Sequence, residues 1–400
     1  MAEWKKIRLG NIINTNQNTY SPKENWKFVN YLDTGNIKMN TVTEIQYINT
    51  NTDKLPSRAR RKVKNNSIIY STVRPNQLHY GIIKDQPTNF LVSTGFAVID
   101  VDDKLADPDY IYYLLTQKDI VEYLQSIAEQ SVSAYPSLKP SDIENMEILL
   151  PNIQIQRKVV SILSSIDRKI SCNKKINNNL EKQAQALYKS WFVDFELNSG
   201  VMPSDWKISQ LASIAKISTK VFSPAKNPNV EVEHYSIPSY DEKHYPIFEI
   251  SNGIKSNKYC LTSNSVMISK LNPNTKRLWR PYCISDNPIC STEFIVYEPI
   301  NPLNRDYIYS IIDSIEFSTF LCSHTTGSTN SRQRTTPSIT LTYDIVVPDE
   351  KTIHAFCSIV SPMYNLIENN TKENQKLAET RDKLLPKLMS GELDVSDIRL

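Results

Sequence analysis

The side chains in this sequence best suited to contacting a ligand are basic and polar rather than nucleophilic. The densest basic run of the first half contains Arg58, Arg60, Arg61 and Lys62. Such side chains neutralise phosphates, and Arg, Lys, Asn and Gln also hydrogen bond to the edges of bases. A basic run by itself is most often a solvated surface, so a nucleic-acid role needs support from other segments.

A second candidate segment follows a predicted strand at residues 67–73 and has a counterpart 198 residues later. The first copy offers Arg74, Asn76, Gln77, His79 and Tyr80. The counterpart offers Lys270, Asn274, Lys276, Arg277, Trp279 and Arg280. Because both copies place basic and aromatic residues just after the same strand, the pattern favours a nucleic-acid contact over an ordinary surface.

A third pair of segments precedes the last predicted strand of each copy. The first segment, 130–135, contributes Ser133 and Tyr135 as candidates. Its counterpart, 324–334, contributes Ser328, Asn330, Arg332, Gln333 and Arg334. The two copies differ most in these candidate segments, which is expected if they bind different base sequences.

Motifs of common catalytic and cofactor sites are absent from the sequence. The eight glycines form neither GxGxxG nor GxxxxGK[ST], and the six cysteines have no zinc-site spacing. Asn272-Pro273-Asn274 and Asn301-Pro302-Leu303 depart from the Asn-Pro-Pro-Tyr type of adenine methyltransferase motif. Pro348-Asp349-Glu350-Lys351 lacks the separation of a PD…ExK nuclease motif and is better explained as a helix entry with a cap. We therefore expect no catalytic residue, metal or cofactor on this chain.

The bulk composition limits the remaining choices. The 400 residues exceed one ordinary core, so two or more domains are expected. Lys and Arg number 46 against 43 Asp and Glu, a net charge of +3, so any charge that binds nucleic acid must be local. No long apolar run occurs, and we expect a cytoplasmic protein without a membrane partner.

The elements that position these segments occur twice in the chain as an internal repeat. Asp109-Tyr110-Ile111-Tyr112 recurs 197 residues later as Asp306-Tyr307-Ile308-Tyr309. Leu149-Leu150-Pro151-Asn152 recurs at the same offset as Val346-Val347-Pro348-Asp349. An ordered series of matches at a nearly fixed offset indicates a duplication, with each copy consisting of a domain followed by a tail.

Each domain is predicted to be mixed α/β. The expected strands are 67–73, 90–101, 265–271 and 293–298. Helices should begin near Tyr110 and Tyr307, with Asp107 and Asn304 as caps. The expected division is a first domain at 1–150, a central helix at 151–197, a second domain at 198–348, and a C-terminal helix and tail at 349–400.

The tails are predicted to be long helices that pair with each other. Residues 153–192 lack Pro and Gly and carry a heptad seam: Val159, Leu163, Ile166, Ile170, Asn173, Asn177, Leu180, Ala184, Leu187 and Trp191. Adding 197 gives the second seam: Phe356, Val360, Met363, Ile367, Asn370, Asn374, Leu377, Arg381, Leu384 and Leu388. The matched asparagines argue against two unrelated surface helices, because buried Asn fixes register. A pseudo-two-fold relation between the repeats would make the two helices antiparallel. Pro386 is expected to end or break the second helix.

These features resemble the specificity subunits of type I restriction-modification systems. Residues 186–195, Ala-Leu-Tyr-Lys-Ser-Trp-Phe-Val-Asp-Phe, are similar to the end of that family's central helix. Leu149-Leu150-Pro151 with residues 154–159 is similar to its entry, and residues 384–393 are similar to the family's C-terminal ending. The resemblance implies an α+β fold, in which two homologous mixed α/β target recognition domains are separated by two long antiparallel coiled-coil helices with a pseudo-two-fold repeat.

The resemblance also implies a function and partners. Each domain would bind one half of a split, asymmetric double-stranded DNA sequence, with the segments 130–135 and 324–334 near the DNA. The helices would dock two methyltransferase subunits, and endonuclease/translocase subunits would join them. S-adenosylmethionine, ATP and magnesium would be bound by those partners.

Two other classes of function stay open at this point. A non-catalytic coiled-coil scaffold would bind only protein, and the repeated basic and aromatic segments count against it. A fused methyltransferase would be an enzyme, and the missing motifs count against it.

Overall fold

The computed structural model describes residues 4–131, 135–326 and 333–398. The chain forms two compact units, the first made of residues 1–168 with 378–400 and the second of residues 169–377. Each unit combines a mixed α/β domain with segments of two long helices. The predicted α+β class with duplicated domains and paired helices is confirmed.

Strands of the first unit form two four-stranded sheets and two short pairs. The strands are β1 (Lys5–Arg8), β2 (Ile13–Thr15), β3 (Phe28–Leu32), β4 (Ile37–Lys38), β5 (Thr41–Val42), β6 (Gln46–Asn49), β7 (Ala59–Lys62), β8 (Ile68–Ser71), β9 (Tyr80–Ile82), β10 (Phe90–Ser93), β11 (Phe96–Val101) and β12 (Glu147–Leu150). The sheet orders are β6-β3-β10-β7 and β2-β11-β8-β9, with β1 paired to β12 and β4 to β5. Only β3 and β10 run parallel among these pairs in the described residues.

Helices of the first unit pack on the sheet β2-β11-β8-β9. They are α1 (Pro108–Leu115), α2 (Lys118–Glu129), α3 (Pro140–Glu144) and α4 (Ile153–Phe192), of which α4 continues into the second unit. The carboxylate of Asp107 caps α1 by accepting from the amides of Asp109 and Tyr110, as predicted. Tyr110 and Ile111 are fully buried in one core with Val159 and Leu163 of α4, so α1 seats the domain on the long helix.

The second unit repeats this plan, with one additional strand in one of its two larger sheets. Its strands are β13 (Lys207–Gln210), β14 (Ala215–Ser218), β15 (Val221–Phe222), β16 (Glu231–Tyr235), β17 (Ile247–Ile250), β18 (Lys258–Cys260), β19 (Val266–Ser269), β20 (Leu278–Trp279), β21 (Pro288–Ser291), β22 (Phe294–Pro299), β23 (Thr325–Thr326), β24 (Arg334–Thr335) and β25 (Asp344–Val347). Its helices are α5 (Ile237–Lys243), α6 (Arg305–Asp313), α7 (Ile315–Ser323), α8 (Pro337–Thr340) and α9 (Glu350–Ser390).

The sheet orders show the duplication strand by strand. The order β14-β22-β19-β20 corresponds to β2-β11-β8-β9, and β15-β18-β21-β16-β17 contains the counterpart of β7-β10-β3-β6. The parallel pair β3-β10 recurs as β16-β21, and the closing pair β1-β12 recurs as β13-β25. The two domains therefore share one topology despite little sequence identity inside them.

Helices α4 and α9 pair antiparallel in both units. In the second unit the amide of Asn173 donates to Asn374 at 2.9 Å, and Asn370 donates to Asn177 at 2.8 Å. In the first unit Asp167 accepts from Arg381 at 2.8 Å. The residue number rises along one helix as it falls along the other, as expected for antiparallel partners.

Two sequence-based expectations about the helices need correction. Helix α9 does not end at Pro386 but continues to Ser390, and it also contains Pro362. Leu388 is 1% exposed and packs in the first unit's core, and burying such a side chain contributes roughly 1.5–3 kcal/mol. That gain is comparable to the cost of proline in a helix, about 3 kcal/mol, so packing keeps the last turns helical. Asn304 precedes α6 as expected, but its side chain makes no capping hydrogen bond.

One predicted strand consists of two strands that lie in different sheets. Residues 90–101 divide into β10 and β11 around Thr94 and Gly95, where the Ser93 hydroxyl accepts from the Gly95 amide. The predicted helix entry at Asp349 is confirmed, because its carboxylate accepts from the Thr352 amide at 3.1 Å. No helix in the described ranges is long and apolar enough to cross a membrane.

Candidate nucleic-acid interface

Three loops of the first domain meet beyond the end of β8. The Arg74 amide donates to the Pro136 carbonyl at 3.0 Å, and the Leu138 amide donates to the Thr72 carbonyl at 2.7 Å. The Thr72 amide in turn donates to the Gly95 carbonyl in the β10–β11 turn at 2.9 Å. We call residues 72–79, 94–95 and 135–138 the first loop cluster.

Equivalent loops meet in the same way in the second domain. The Asn272 amide donates to the Gln333 carbonyl at 2.9 Å, and the Thr335 amide donates to the Lys270 carbonyl at 3.1 Å. The Lys270 amide donates to the Glu293 carbonyl at 2.9 Å. Residues 270–277, 292–293 and 333–336 form the second loop cluster. Segments that the sequence only suggested separately are thus adjacent in both domains.

A serine motif shapes the exit from the central strand in both copies. The Ser71 hydroxyl donates to the Val73 carbonyl at 2.9 Å, and the Ser269 hydroxyl donates to the Leu271 carbonyl at 3.0 Å. The next residues, Arg74 and Asn272, have left-handed φ values of 49° and 48°. The left-handed conformation is energetically unfavourable for residues other than glycine. Its recurrence at both positions therefore indicates a specific turn that directs the chain away from the sheet.

The first loop cluster presents its side chains in different ways. The Arg74 guanidinium lies 4.9 Å from the ring centre of Tyr135, a cation–π geometry, and the Tyr135 ring is exposed. Asn76 and Gln77 are exposed, and the Asn76 amide is held by the Gln125 side chain at 3.2 Å. His79 is half-buried, and this burial together with nearby Lys38 lowers its pKa.

Tyr80 is not available to a ligand, which corrects the sequence-based expectation. Its side chain is 5% exposed and stacks on Tyr70 at 5.6 Å between ring centres. Burial raises the pKa of Tyr80 to about 12. The residue begins β9, where alternate side chains point into the core, and the sequence pattern did not reveal this strand.

The basic run of the first domain forms the edge strand β7 rather than a loop. Arg61 is half-buried, and burial lowers its pKa, while Lys62 forms an ion pair with Glu24 and lies 5.2 Å from the ring centre of Trp26. Arg60 is half-buried and Arg58 is exposed. The Arg58 carbonyl accepts from the Thr94 amide at 2.9 Å, which brings this cation beside the first loop cluster.

Cations of the second loop cluster are paired with carboxylates inside the domain. Arg334 binds Glu293, Arg277 binds Asp241, and the exposed Lys276 binds Asp313. Lys270 is half-buried and Asn274 is exposed, and Gln333 is held through its backbone. The sequence did not single out Glu293, although the match of Ser93-Thr94-Gly95 to Ser291-Thr292-Glu293 places it in the turn.

Arg280 belongs to the framework and not to the surface, which is a second correction. Its side chain is 12% exposed and donates to Asp306 at 2.8 Å and to Glu368 at 3.0 Å. Burial alone would lower its pKa, but the hydrogen bonds and charge of Asp306 raise it above the usual value. Arg280 therefore ties β20 and α6 to helix α9. Trp279 beside it is likewise buried.

Four of the predicted contact residues, Ser133, Ser328, Asn330 and Arg332, lie outside the described residues. Within the described ranges, no group of three or more His, Cys, Asp and Glu side chains is arranged to hold a metal ion. The absence of a metal or cofactor site on this chain stays a prediction.

Seam positions on the paired helices are buried or half-buried. Val159, Leu163, Asn173, Val360 and Asn370 are buried, and the half-buried members are Ile166, Ile170, Asn177, Leu180, Met363, Ile367, Asn374 and Leu377. Arg381 stands in the seam as a charge compensated by Asp167. Within each unit, the two helices therefore pair through these seam positions.

Comparison with known proteins shows which proteins this chain resembles. Residues 1–182 match the model of the type I restriction modification DNA specificity domain. The specificity subunit of the type I restriction enzyme HindI from Haemophilus influenzae is 23% identical, over 98% of this chain and 100% of the relative. The MjaIX specificity subunit from Methanocaldococcus jannaschii is 29% identical, over 72% of this chain and 70% of the relative.

A solved structure shares the fold along the whole chain. The type I restriction-modification S subunit from M. genitalium superposes with a TM-score of 0.60 at 15% identity, covering 97% of this chain and 96% of that one. The chain is therefore similar over nearly its whole length to specificity subunits of type I restriction enzymes, and its first 182 residues match their DNA specificity domain.

Proposed function

We propose that this chain is the DNA-recognition subunit of a type I restriction-modification complex, in which each domain binds one half of a bipartite, asymmetric duplex sequence. The observation that carries the proposal is the recurrence of one loop-cluster backbone in both domains with different side chains. Arg74, Gly95 and Ser137 of the first cluster are replaced by Asn272, Glu293 and Arg334 in the second. A shared frame with different contacts suits two half-sites of different sequence.

Paired helices α4 and α9 are proposed to dock two methyltransferase subunits. Supporting this, apolar side chains stand on their outer faces, including Ile176, Ile359 and Leu366 at 40%, 39% and 44% exposure. Endonuclease/translocase subunits would join through that assembly. We propose that S-adenosylmethionine, ATP and magnesium are bound by these partners and that the complex acts in the cytoplasm.

Methylome sequencing tests this function directly. Cells that express the chain with its methyltransferase partner should acquire adenine methylation at one split sequence, and cells with the methyltransferase alone should not. The purified chain by itself should bind duplex DNA in a filter assay but neither methylate nor cleave it. A chain that bound only protein would be the alternative scaffold, and turnover without partners would contradict the non-catalytic assignment.

A further inference from the structure

The ion pair between Arg334 and Glu293 has a geometry that leaves half of the guanidinium unused. Arg334 donates from Nε to one carboxylate oxygen of Glu293 and from Nη2 to the other, both at 3.0 Å. Glu293 therefore binds the Nε–Nη2 side of the guanidinium. The opposite end, formed by Nη1 and the second hydrogen of Nη2, receives no partner from the described part of the chain. The Arg334 side chain as a whole is 44% exposed.

The backbone beneath this side chain is fixed from two directions. Arg334 pairs with Thr326 in the antiparallel strand pair β23-β24 and forms a bridge with Leu271 at the end of the β19 exit turn. Glu293 is held in its own turn, because its amide donates to the Ser291 hydroxyl at 3.3 Å. Both ends of the pair therefore stand on hydrogen-bonded backbone, and little side-chain freedom remains to be lost on binding.

We propose that Arg334 contacts a guanine in the major groove of the second half-site through its free Nη1–Nη2 end, and that Glu293 positions it. The proposal rests on the function proposed above. Guanine is the base that offers two acceptors, N7 and O6, in the spacing of a guanidinium fork. The Glu293 carboxylate repels a phosphate at the same place, so the charge arrangement favours a base edge over the DNA backbone.

The first domain has no equivalent of this pair. Its counterparts are Gly95, which lacks a side chain, and Ser137, which lacks a charge. The proposed guanine contact should therefore affect only the half-site bound by the second domain. The sequence recognised by the first domain serves as an internal control in every measurement.

The test uses the complete complex with the variants Arg334→Ala, Arg334→Lys and Glu293→Gln. Arg334→Ala should lower the preference for guanine at one position of one half-site by about 5- to 160-fold, the range for one bidentate contact. Arg334→Lys keeps the charge but loses the fork and should also relax that position. Glu293→Gln should weaken the same preference by a smaller factor. Lys207→Gln, which removes an exposed charge from β13 of the same domain, should leave the target unchanged.

Methylome sequencing supplies the readout and separates the possible failures. If the parent complex methylates no split sequence, the proposed function fails. If the parent sequence is defined but Arg334→Ala leaves every position unchanged, the guanine contact is wrong. Two results together would identify a phosphate contact and overturn the proposal. Arg334→Lys would keep the full base preference, and Arg334→Ala would weaken binding equally on all sequences.

Discussion

At the scale of single residues, Lys84 and Arg280 are cations at comparable places whose ion pairs differ in burial. Each binds the aspartate that opens the repeated Asp-Tyr-Ile-Tyr segment, Asp109 in the first domain and Asp306 in the second. The Lys84 pair is partly exposed at 44% and 29%, while the Arg280 pair is buried at 12% and 7%. Solvent screens the first pair, whereas breaking the second would remove the only cation that hydrogen bonds to the buried Asp306 carboxylate in the described residues.

Arg280→Met should therefore destabilise the chain strongly and leave the target sequence unchanged. We expect a loss of about 3–5 kcal/mol, the typical cost of removing one partner of a buried ion pair. The matched variant Lys84→Met should cost less than about 1 kcal/mol. Urea denaturation of both variants measures this difference. A stable Arg280→Met protein with an altered target would mean that Arg280 contacts DNA after all.

His234 should make the second domain sensitive to acid. Burial lowers the pKa of His234; Glu249, which lies 2.7 Å from Nδ1, opposes this shift, and Lys258 adds to it. Because the folded pKa lies below the unfolded value near 6.5, the unfolded chain takes up the proton first. The stability that His234 contributes is present above pH 6.5. It falls as the pH is lowered from 6.5 through the folded pKa of His234.

His234→Asn keeps a donor for Glu249 but cannot titrate. Its free energy of unfolding should fall less than that of the parent chain between pH 7.5 and pH 5.5 in denaturant titrations. An identical slope for both proteins would show that His234 makes no contribution. His244, whose pKa burial also lowers, offers a second site for the same comparison.

At the scale of elements, the asparagine layer fixes how α4 and α9 pair. Asn173 is 2% exposed and also donates to Glu373 at 2.7 Å, while Asn177 donates to Thr371 at 3.3 Å. Asn173→Leu alone should cost about 1–3 kcal/mol, because it leaves the half-buried side-chain oxygen of Asn374 without its donor. Replacing Asn173, Asn177, Asn370 and Asn374 together with Leu should instead raise the melting temperature and loosen the register.

Melting curves and spin-label distances across the helix pair check both variants. The fourfold variant should show a higher melting temperature with a broader distance distribution than the parent chain. A sharply lower melting temperature with one unchanged distance would contradict a seam role for these asparagines.

Pro386 is a second feature of the helices that substitution can test. Its ring nitrogen has no hydrogen, so the Asp382 carbonyl four residues earlier lacks its usual helical donor. Pro386→Ala restores that donor in a helix that is already formed and should raise the free energy of unfolding by up to about 3 kcal/mol. Urea midpoints measure the change. A loss of stability would show that Pro386 sets a bend that the packing of Leu388 requires.

At the scale of the whole molecule, duplication predicts modular recognition. Exchanging residues 14–148 for the same segment of a relative should change one half of the methylated sequence and preserve the other, because each loop cluster is built within its own domain. Methylome sequencing of cells carrying the chimera gives the result. If both halves changed together, the two domains would not recognise DNA independently.

The sequence by itself determined the features that depend on local pattern and repetition. The fixed offset between Asp109 and Asp306 indicated two homologous domains, and the heptads with matched asparagines predicted two long antiparallel helices. These signals are strong because helical periodicity and seam polarity are set by residues a few positions apart. The segments later found in the loop clusters were also identified, as separate stretches.

Only the tertiary structure decided which candidate side chains are free. Tyr80 and Arg280 looked like surface contacts in sequence. In the structure Tyr80 stacks on Tyr70 in the core, and Arg280 is bound by the buried carboxylate of Asp306. Pro386 looked like a helix end, but burial of Leu388 offsets its local preference. The Glu293–Arg334 pair joins residues 41 positions apart. Such partners are brought together by sheet register and packing, which short-range sequence patterns do not encode.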